Sequence, residues 1–345
     1  MNTSTVSPAH RAIGYWLLVV CALVFAMVVL GGVTRLTHSG LSIVEWKPLV
    51  GAIPPLNDAE WLETFEKYKL TPEYQKVNAG MDVEGFKGIF WLEYFHRLLG
   101  RGIGLVFLLP FLYFLLRKQI DRPLMPKLVA MFVLGGLQGL MGWLMVASGL
   151  VDLPRVSAYR LTAHLGLAVL IYGYILWVAL GLLWPDRHNS SVNVAPLRAH
   201  GRGVNAVIVI TILAGGLVAG TRAGFAYNTF PLMGESFLPV GVFAQEPWWI
   251  NFFENVGTVQ LDHRLLAYLL VLMIPAWWWM ARRHVIDATT RTFFHLLLAM
   301  LAVQITLGIT TLLYVVPIPL ATAHQAGALL LLTLTLVISH RLRAR

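Results

Sequence analysis

Hydrophobic residues along the chain gather into eight long runs, at about residues 14–34, 92–116, 128–147, 161–184, 204–220, 259–280, 293–314 and 320–339. Each run is long enough to cross a hydrocarbon core about 30 Å thick, which takes roughly 20 helical residues. Hydrocarbon offers the backbone no hydrogen bonds, so runs of this kind read as membrane-spanning helices. The fold class this predicts is an all-α integral membrane protein with eight transmembrane helices. The first run follows a short polar stretch whose clear positive charge is Arg11. It is too long for a secretory h-region and has no A-x-A cleavage site, so it reads as a retained helix. Between the first two runs, residues 57–70 (NDAEWLETFEKYKL) combine an Asn cap candidate, early acids, late lysines and spaced Trp61, Leu62, Phe65 and Tyr68. That pattern predicts a short amphipathic helix lying in the interface and shaping the loop, with a substrate lid as the alternative.

Composition narrows the class further. The 345 residues are 57% hydrophobic and only 12% charged, with a mean hydropathy of +0.69. So few charges cannot cover a water-soluble surface, which excludes an ordinary soluble enzyme, a disordered chain and collagen. Cys21 is the single cysteine, so an internal disulfide, a zinc finger and an all-cysteine iron–sulfur cluster are excluded within one chain. Sorting charges by alternate loops gives one side Arg11, Arg117, Lys118, Arg122, Lys127, Arg187, Arg198, Arg202, Arg282, Arg283, Arg291, Arg341, Arg343 and Arg345 against the acids Asp121, Asp186 and Asp287. The other side is slightly acidic. By the positive-inside rule both termini are cytoplasmic. The net charge of +9 then reports orientation in a bilayer and not a nucleic-acid partner.

The runs also repeat. LGGVT before Arg35 answers LVAGT before Arg222, EYFHRLL around His96 answers QLDHRLL around His263, Gln138 with Gly142 answers Gln304 with Gly308, and LTAHLG around His164 answers ATAHQAG around His324. Four spans per half is an even number, so both halves enter the membrane from the same side. The expected architecture is therefore two four-helix bundles in parallel repeat, related by a pseudo-twofold axis along the membrane normal, spanning residues 1–185 and 186–345.

His96, His164, His263 and His324 each fall within a turn or two of the start of an even-numbered span, which begins outside. Two imidazoles per bundle, at one depth near the outer face, suit a haem iron, which takes axial ligands from opposite sides. Hydrogen bonding to a neighbouring helix is the alternative for any one of them. Arg97, Arg101 and Arg264 lie at the same level, where guanidinium groups suit anionic propionates or snorkel to the interface. A bare zinc or copper site is less favoured, with only two imidazoles per bundle and Glu93 the one close acid. His10, His38, His188, His200, His284, His295 and His340 carry no assigned chemistry, and Gln138, Gln304, Trp143 and the nearby glycines are assigned to helix packing and interhelical hydrogen bonds. Two haems side by side suit local chemistry better than conduction across the membrane.

The halves differ at one telling position. Three residues before His96 stands Glu93, and three before His263 stands Gln260. Residues three apart share a helical face, so Glu93 can act beside the ligand His96, while pairing with Arg97 on the adjacent turn is the alternative. An electron-carrying di-haem b cytochrome and a repeat transporter are the rival classes, the latter opposed by the absence of a central Gly/Pro break.

From GGVTRLTHSGLSIVEWKP through EYFHRLLGR and LTAHLG to LDHRLLAY and TAHQAG, nearly the whole chain resembles the haem A synthase family, membrane oxidoreductases that oxidise haem O to haem A for terminal oxidases. The resemblance implies haem b held by His263 and His324, substrate haem O accepted near His96, His164 and Glu93, and iron at all four histidines. It also implies oxidation of the porphyrin C8 methyl to a formyl group. If His96 and His164 both ligate iron, no position is open for oxygen. Withdrawal of electrons from the macrocycle would instead leave a cationic methylene for water to capture, with Glu93 stabilising the cation or taking the proton. Some members carry a cysteine pair in the first outer loop, and this chain has none there. Expected partners are the lipid bilayer, haem O synthase (the farnesyltransferase) and oxidase assembly factors, with homo-oligomerisation left open. With no Arg/Ser-rich leader, a bacterial inner membrane is expected.

Overall fold

The structure, a computed structural model, describes residues 7–45, 53–147, 156–184 and 194–343. Trp46, Lys47, Pro48, Asp186, Arg187, His188 and Arg345 of the sequence arguments lie outside the described residues. Among the described residues, eight helices are long and apolar enough to cross a membrane: α1 (Pro8–Leu36), α4 (Val83–Leu116), α5 (Met125–Ala147), α6 (Ala158–Leu183), α7 (Ala195–Thr221), α9 (Val256–Arg282), α10 (Ala288–Leu313) and α11 (Ile318–Arg341). The short helices α2 (Asp58–Lys69) and α3 (Pro72–Lys76) lie between α1 and α4, and α8 (Asn251–Glu254) precedes α9.

Local chemistry sets the ends. The Ser7 side chain accepts from the His10 amide ahead of α1, with Pro8 in the first turn where its missing N–H costs nothing. Asp287 caps α10 by accepting from the Thr290 amide and also binds Arg341 at the far end of α11, so one carboxylate ties two helices at the end opposite the long 35–91 segment. Pro110 and Pro275 each lie inside a continuous helix. Neighbouring helices can support the backbone group a proline frees, so neither residue produces the broken span typical of transporter sites.

The expected amphipathic helix is present as α2, with the Asn57 side chain accepting from the Glu60 amide. Its buried Trp61, Phe65 and Tyr68 meet Phe86, Phe90 and Tyr94 of α4 in a second hydrophobic core, separate from that of the spanning helices. This explains the main departure in boundaries. The α4 helix begins at Val83, nine residues before the expected span, because Asp82 caps the Gly85 amide and the added turns pack on α2. His96 consequently lies deep inside its helix and not in its first turns.

Helix pairing is alike in the two halves of the chain. α1 packs on α4 and α6, as α7 packs on α9 and α11; α5 packs on α6, as α10 packs on α11. α6 meets α7, α1 meets α11 and α6 meets α11, so α1, α6, α7 and α11 form the centre. Hydrogen bonds cross that centre: Gln325 Nε2 donates to the Val28 carbonyl (2.7 Å), Arg35 to the Ala219 carbonyl (3.0 Å), and the Tyr172 and Thr333 hydroxyls share a 2.7 Å bond. Small residues permit the approach. A Cβ on Gly220 of α7 would stand 2.6 Å from the Ala158 backbone of α6, whereas one on Gly139 of α5 would meet nothing within 4 Å. Gly220→Ala should therefore force α6 and α7 apart at a cost of about 1–3 kcal/mol, the range for overpacking. Thermal unfolding followed by circular dichroism in detergent should show a lowered midpoint for Gly220→Ala and none for Gly139→Ala.

Candidate functional site

The four helix-borne histidines fall on α4, α6, α9 and α11, and each has a glycine from a neighbouring helix at its back. The Cε1 of His96 would lie 3.1 Å from a Cβ on Gly31 of α1, and that of His263 3.2 Å from one on Gly215 of α7. His164 stands likewise at 3.1 Å from Gly142 of α5, and His324 at 2.8 Å from Gly308 of α10. At each seat a side chain as small as alanine would press on the imidazole. Of the glycines around Gln138 expected to serve packing, Gly142 meets the His164 ring, whereas an added Cβ at Gly135, Gly136 or Gly139 would meet nothing within 4 Å.

Around each ring the hydrogen bonding is sparse. His263 Nδ1 lies 3.1 Å from the Thr211 carbonyl oxygen, which has no proton to give, so the ring proton is on Nδ1 and Nε2 keeps a bare lone pair. The Nδ1 atoms of His96 and His324 are buried without a partner. Gln304 donates to the His324 carbonyl (3.0 Å) and Gln138 to the His164 carbonyl (3.1 Å), with the Gln138 amide also 3.3 Å from the His164 ring. These are the interhelical bonds expected of the two glutamines.

Two imidazoles on one metal, each through a bond of about 2 Å, hold their ring centres roughly 6 Å apart. The His263 and His324 ring centres are 6.3 Å apart, with planes at 80°. The spacing, the half-buried rings and the bare Nε2 fit axial ligation of a porphyrin iron. His96 on α4 and His164 on α6 are the corresponding pair of the first half. Among the described residues no three of His, Cys, Asp and Glu converge as a metal cluster. Two imidazoles per half match the protein ligand count of haem.

Glu93 turns toward the segment that follows α1. Its Oε2 accepts from Ser42 Oγ (2.7 Å) and the Ile43 amide (2.8 Å), and its Oε1 from Arg97 (2.5 Å). The side chains of this ion pair are only 3% and 11% exposed. Arg97 also donates to the Ile43 carbonyl at 2.9 Å. In the second half Gln260 accepts from Arg264 (3.2 Å) and donates to the Ala223 carbonyl (2.7 Å). Arg264 further donates to the carbonyls of Tyr227, Thr229 and Leu232. The same i,i+4 clip thus fastens the segment after α1 to α4 and the segment after α7 to α9, charged in the first case and neutral in the second. Arg101 lies one turn beyond Arg97 and is half-buried.

Sequence reasoning missed Ser42, the ring-facing role of the glycines, and a group around Arg35. There, His38 has a left-handed φ of 54°, and burial together with Arg35 and Arg222 pushes its imidazole below its ordinary range. Glu73 of α3 is 3% exposed, with Oε2 unpartnered. The match between LGGVT before Arg35 and LVAGT before Arg222 was the available signal. Histidines in the first turns of α1 and α7 make contacts at the helix ends, His10 with Asp121 and His200 with the Met273 carbonyl.

Residues 14–336 match the family described as cytochrome oxidase assembly protein. Haem A synthase of Nitrosospira multiformis is 59% identical over 97% of this chain and 94% of its own length. That of Nitrosomonas eutropha is 56% identical over 96% and 94%, and haem A synthase COX15 of Arabidopsis thaliana is 47% identical over 97% and 75%. With eight spanning helices and this coverage, the chain belongs to the haem A synthase family.

Proposed function

We propose that the chain oxidises the C8 methyl of haem O to the formyl group of haem A, with substrate in its first half and a resident haem b in its second. The activity is that of the family, an oxidoreductase supplying haem A to terminal oxidases. Residues 1–185 and 186–345 are then pseudo-twofold-related bundles, a reading supported by the matched helix pairing. The observation that carries the division is the 6.3 Å separation of the His263 and His324 ring centres, together with the glycine seats behind both rings.

His263 and His324 would hold haem b iron, and His96 and His164 would hold the iron of haem O. The bound haem b supplies redox capacity next to the substrate half. Glu93 supplies the negative charge that stabilises a cation developing at the methyl carbon as electrons leave. Ser42, the Ile43 amide and Arg97 fix that carboxylate in place, so little reorganisation is needed as charge develops. Water adding to that carbon with release of its proton would give the alcohol; a second two-electron withdrawal and water addition would give the geminal diol, which loses water to leave the formyl group, the electrons of both rounds passing to an electron acceptor outside the chain. Arg101, with Arg97 and Arg264, presents cationic charge at the level where propionates reach toward water, even though Arg97 and Arg264 also brace the outer segments.

The charge asymmetry between loops supports cytoplasmic termini and haem sites near the outer face, and the bacterial relatives support a bacterial inner membrane. Haem O synthase upstream and oxidase assembly factors downstream are the expected protein partners.

Extracted-haem analysis of the purified protein, coexpressed with a haem O synthase, should yield haem b together with haem O or haem A. Protein devoid of haem from haem-sufficient cells would overturn the reading. Glu93→Gln should retain its pigment yet lose about 100-fold or more in haem A formation, the scale of a lost charged catalytic group. Unimpaired turnover would remove the carboxylate from the mechanism. Gly308→Ala should weaken retention of haem b by displacing the His324 ring, whereas Gly136→Ala, with nothing within 4 Å, should leave the spectrum unchanged.

A further inference from the structure

The segment that leaves α7 reaches both of the helices that carry the second-half histidines. On one side it is fastened to α9. Gln260 Nε2 donates to the Ala223 carbonyl (2.7 Å), and the Arg264 guanidinium donates to the carbonyls of Tyr227 (3.1 Å), Thr229 (3.0 Å) and Leu232 (3.2 Å). Gln260 and Arg264 flank His263, three residues before it and one after. On the other side the same segment meets the turn between α10 and α11. Asn228 Nδ2 donates to the Leu312 carbonyl (2.8 Å) and to the Gly224 carbonyl (2.9 Å). Gly224 also lies against that turn, where an added Cβ would stand 3.1 Å from Cγ2 of Val316.

The turn is an unfavourable one for its sequence. Four residues, 314–317, join Leu313 to Ile318. Val315 and Val316 both lie in the left-handed region, with φ of 60° and 58°. A branched Cβ crowds the backbone there, so valine is a costly choice where glycine or asparagine is the usual one. Such a conformation persists only where its surroundings hold it. Here the Leu312 carbonyl accepts from the Val315 amide (3.1 Å) as well as from Asn228, and the Thr311 carbonyl accepts from the Val316 amide (2.8 Å). The hairpin closed by this turn carries a ligand and its seat on opposite arms: His324 two turns into α11, and Gly308 about a turn and a half before the end of α10.

We propose that Asn228 is a positioning residue for the second-half site. Through it the 223–232 segment straps α9 to the α10–α11 turn, keeps the two valines left-handed, and fixes the His263 and His324 rings at their 6.3 Å spacing. A site held in this way retains its ligand longer, because the protein does not have to be ordered each time the ligand binds. The proposal rests on the assignment of haem b to His263 and His324, and the experiment separates the two.

Purified wild type, Asn228→Ala, the double variant Asn228→Ala with Val315→Gly, and His324→Ala are compared by the rate at which haem b passes to excess apomyoglobin. The g-values of the oxidised low-spin haem are measured alongside. Asn228→Ala should release haem b about 10-fold faster, the scale of one lost hydrogen bond, and should shift the g-values as the imidazole planes turn. Asn228→Asp, equal in size but with no proton to give the Leu312 carbonyl, should behave as Asn228→Ala does. Adding Val315→Gly should restore most of the loss, since glycine takes the left-handed turn without the strap and Val315 is 52% exposed. Wild-type release and g-values in Asn228→Ala would overturn the proposal, and so would a fast release that Val315→Gly leaves unchanged. His324→Ala decides the underlying assignment, because it should lose the low-spin signal of haem b. A haem b that stays low-spin in His324→Ala would count against the ligand pair itself, whatever Asn228→Ala does.

Discussion

Hydrocarbon cannot hydrogen-bond, and every polar side chain carried by the spanning helices must be matched from within the protein. That constraint organises the molecule. Gln325 reaches the Val28 carbonyl, Asn205 is held between Ser339 and Thr335, and Trp277 donates to the Leu197 carbonyl. The matching is incomplete around the histidines: the buried Nδ1 atoms of His96 and His324 lack a partner, and so do Oε1 of Gln138 and of Gln304, whose amide nitrogens reach the His164 and His324 carbonyls, together with several threonine hydroxyls. His96 and His324 are also two of the rings that a glycine of a neighbouring helix sits against.

Steric and electrostatic support come from different parts of the chain. The membrane helices provide seats: backbone at Gly31, Gly142, Gly215 and Gly308 limits where each imidazole can go. The segments that follow α1 and α7 provide charge placement, through Glu93 and Arg97 in one half and Gln260 and Arg264 in the other. The aromatic core of Trp61, Phe65, Tyr68, Phe86 and Phe90 separately ties α2 to α4. The charged clip is therefore attached to a folded platform.

Much of this was legible in the chain itself. Hydrophobic run length gave the eight spans, Asn57 and the following acids gave α2, and the repeated histidine motifs identified the paired rings. Spacing alone offered two roles for Glu93, and both helical neighbours were named: His96 three residues on and Arg97 four. What spacing could not reveal was contact between distant segments. Ser42 and Ile43 lie about 50 residues from Glu93, and no local pattern announces that they donate to it. No local pattern announces the burial of Glu73 either, which arises with the packing of α3 beside α2. The early start of α4 was hidden for the same reason: its first turns are stabilised by α2 and not by lipid.

The paired clips also bear on how two such halves can diverge. Glutamate and glutamine codons differ by one base, GAA against CAA or GAG against CAG. In the second half the guanidinium of Arg264 is already satisfied by backbone carbonyls, so it tolerates an amide where Arg97 meets an acid. A duplicated scaffold of this design can acquire or discard a buried carboxylate at this position by a point mutation, leaving its helix pairing untouched.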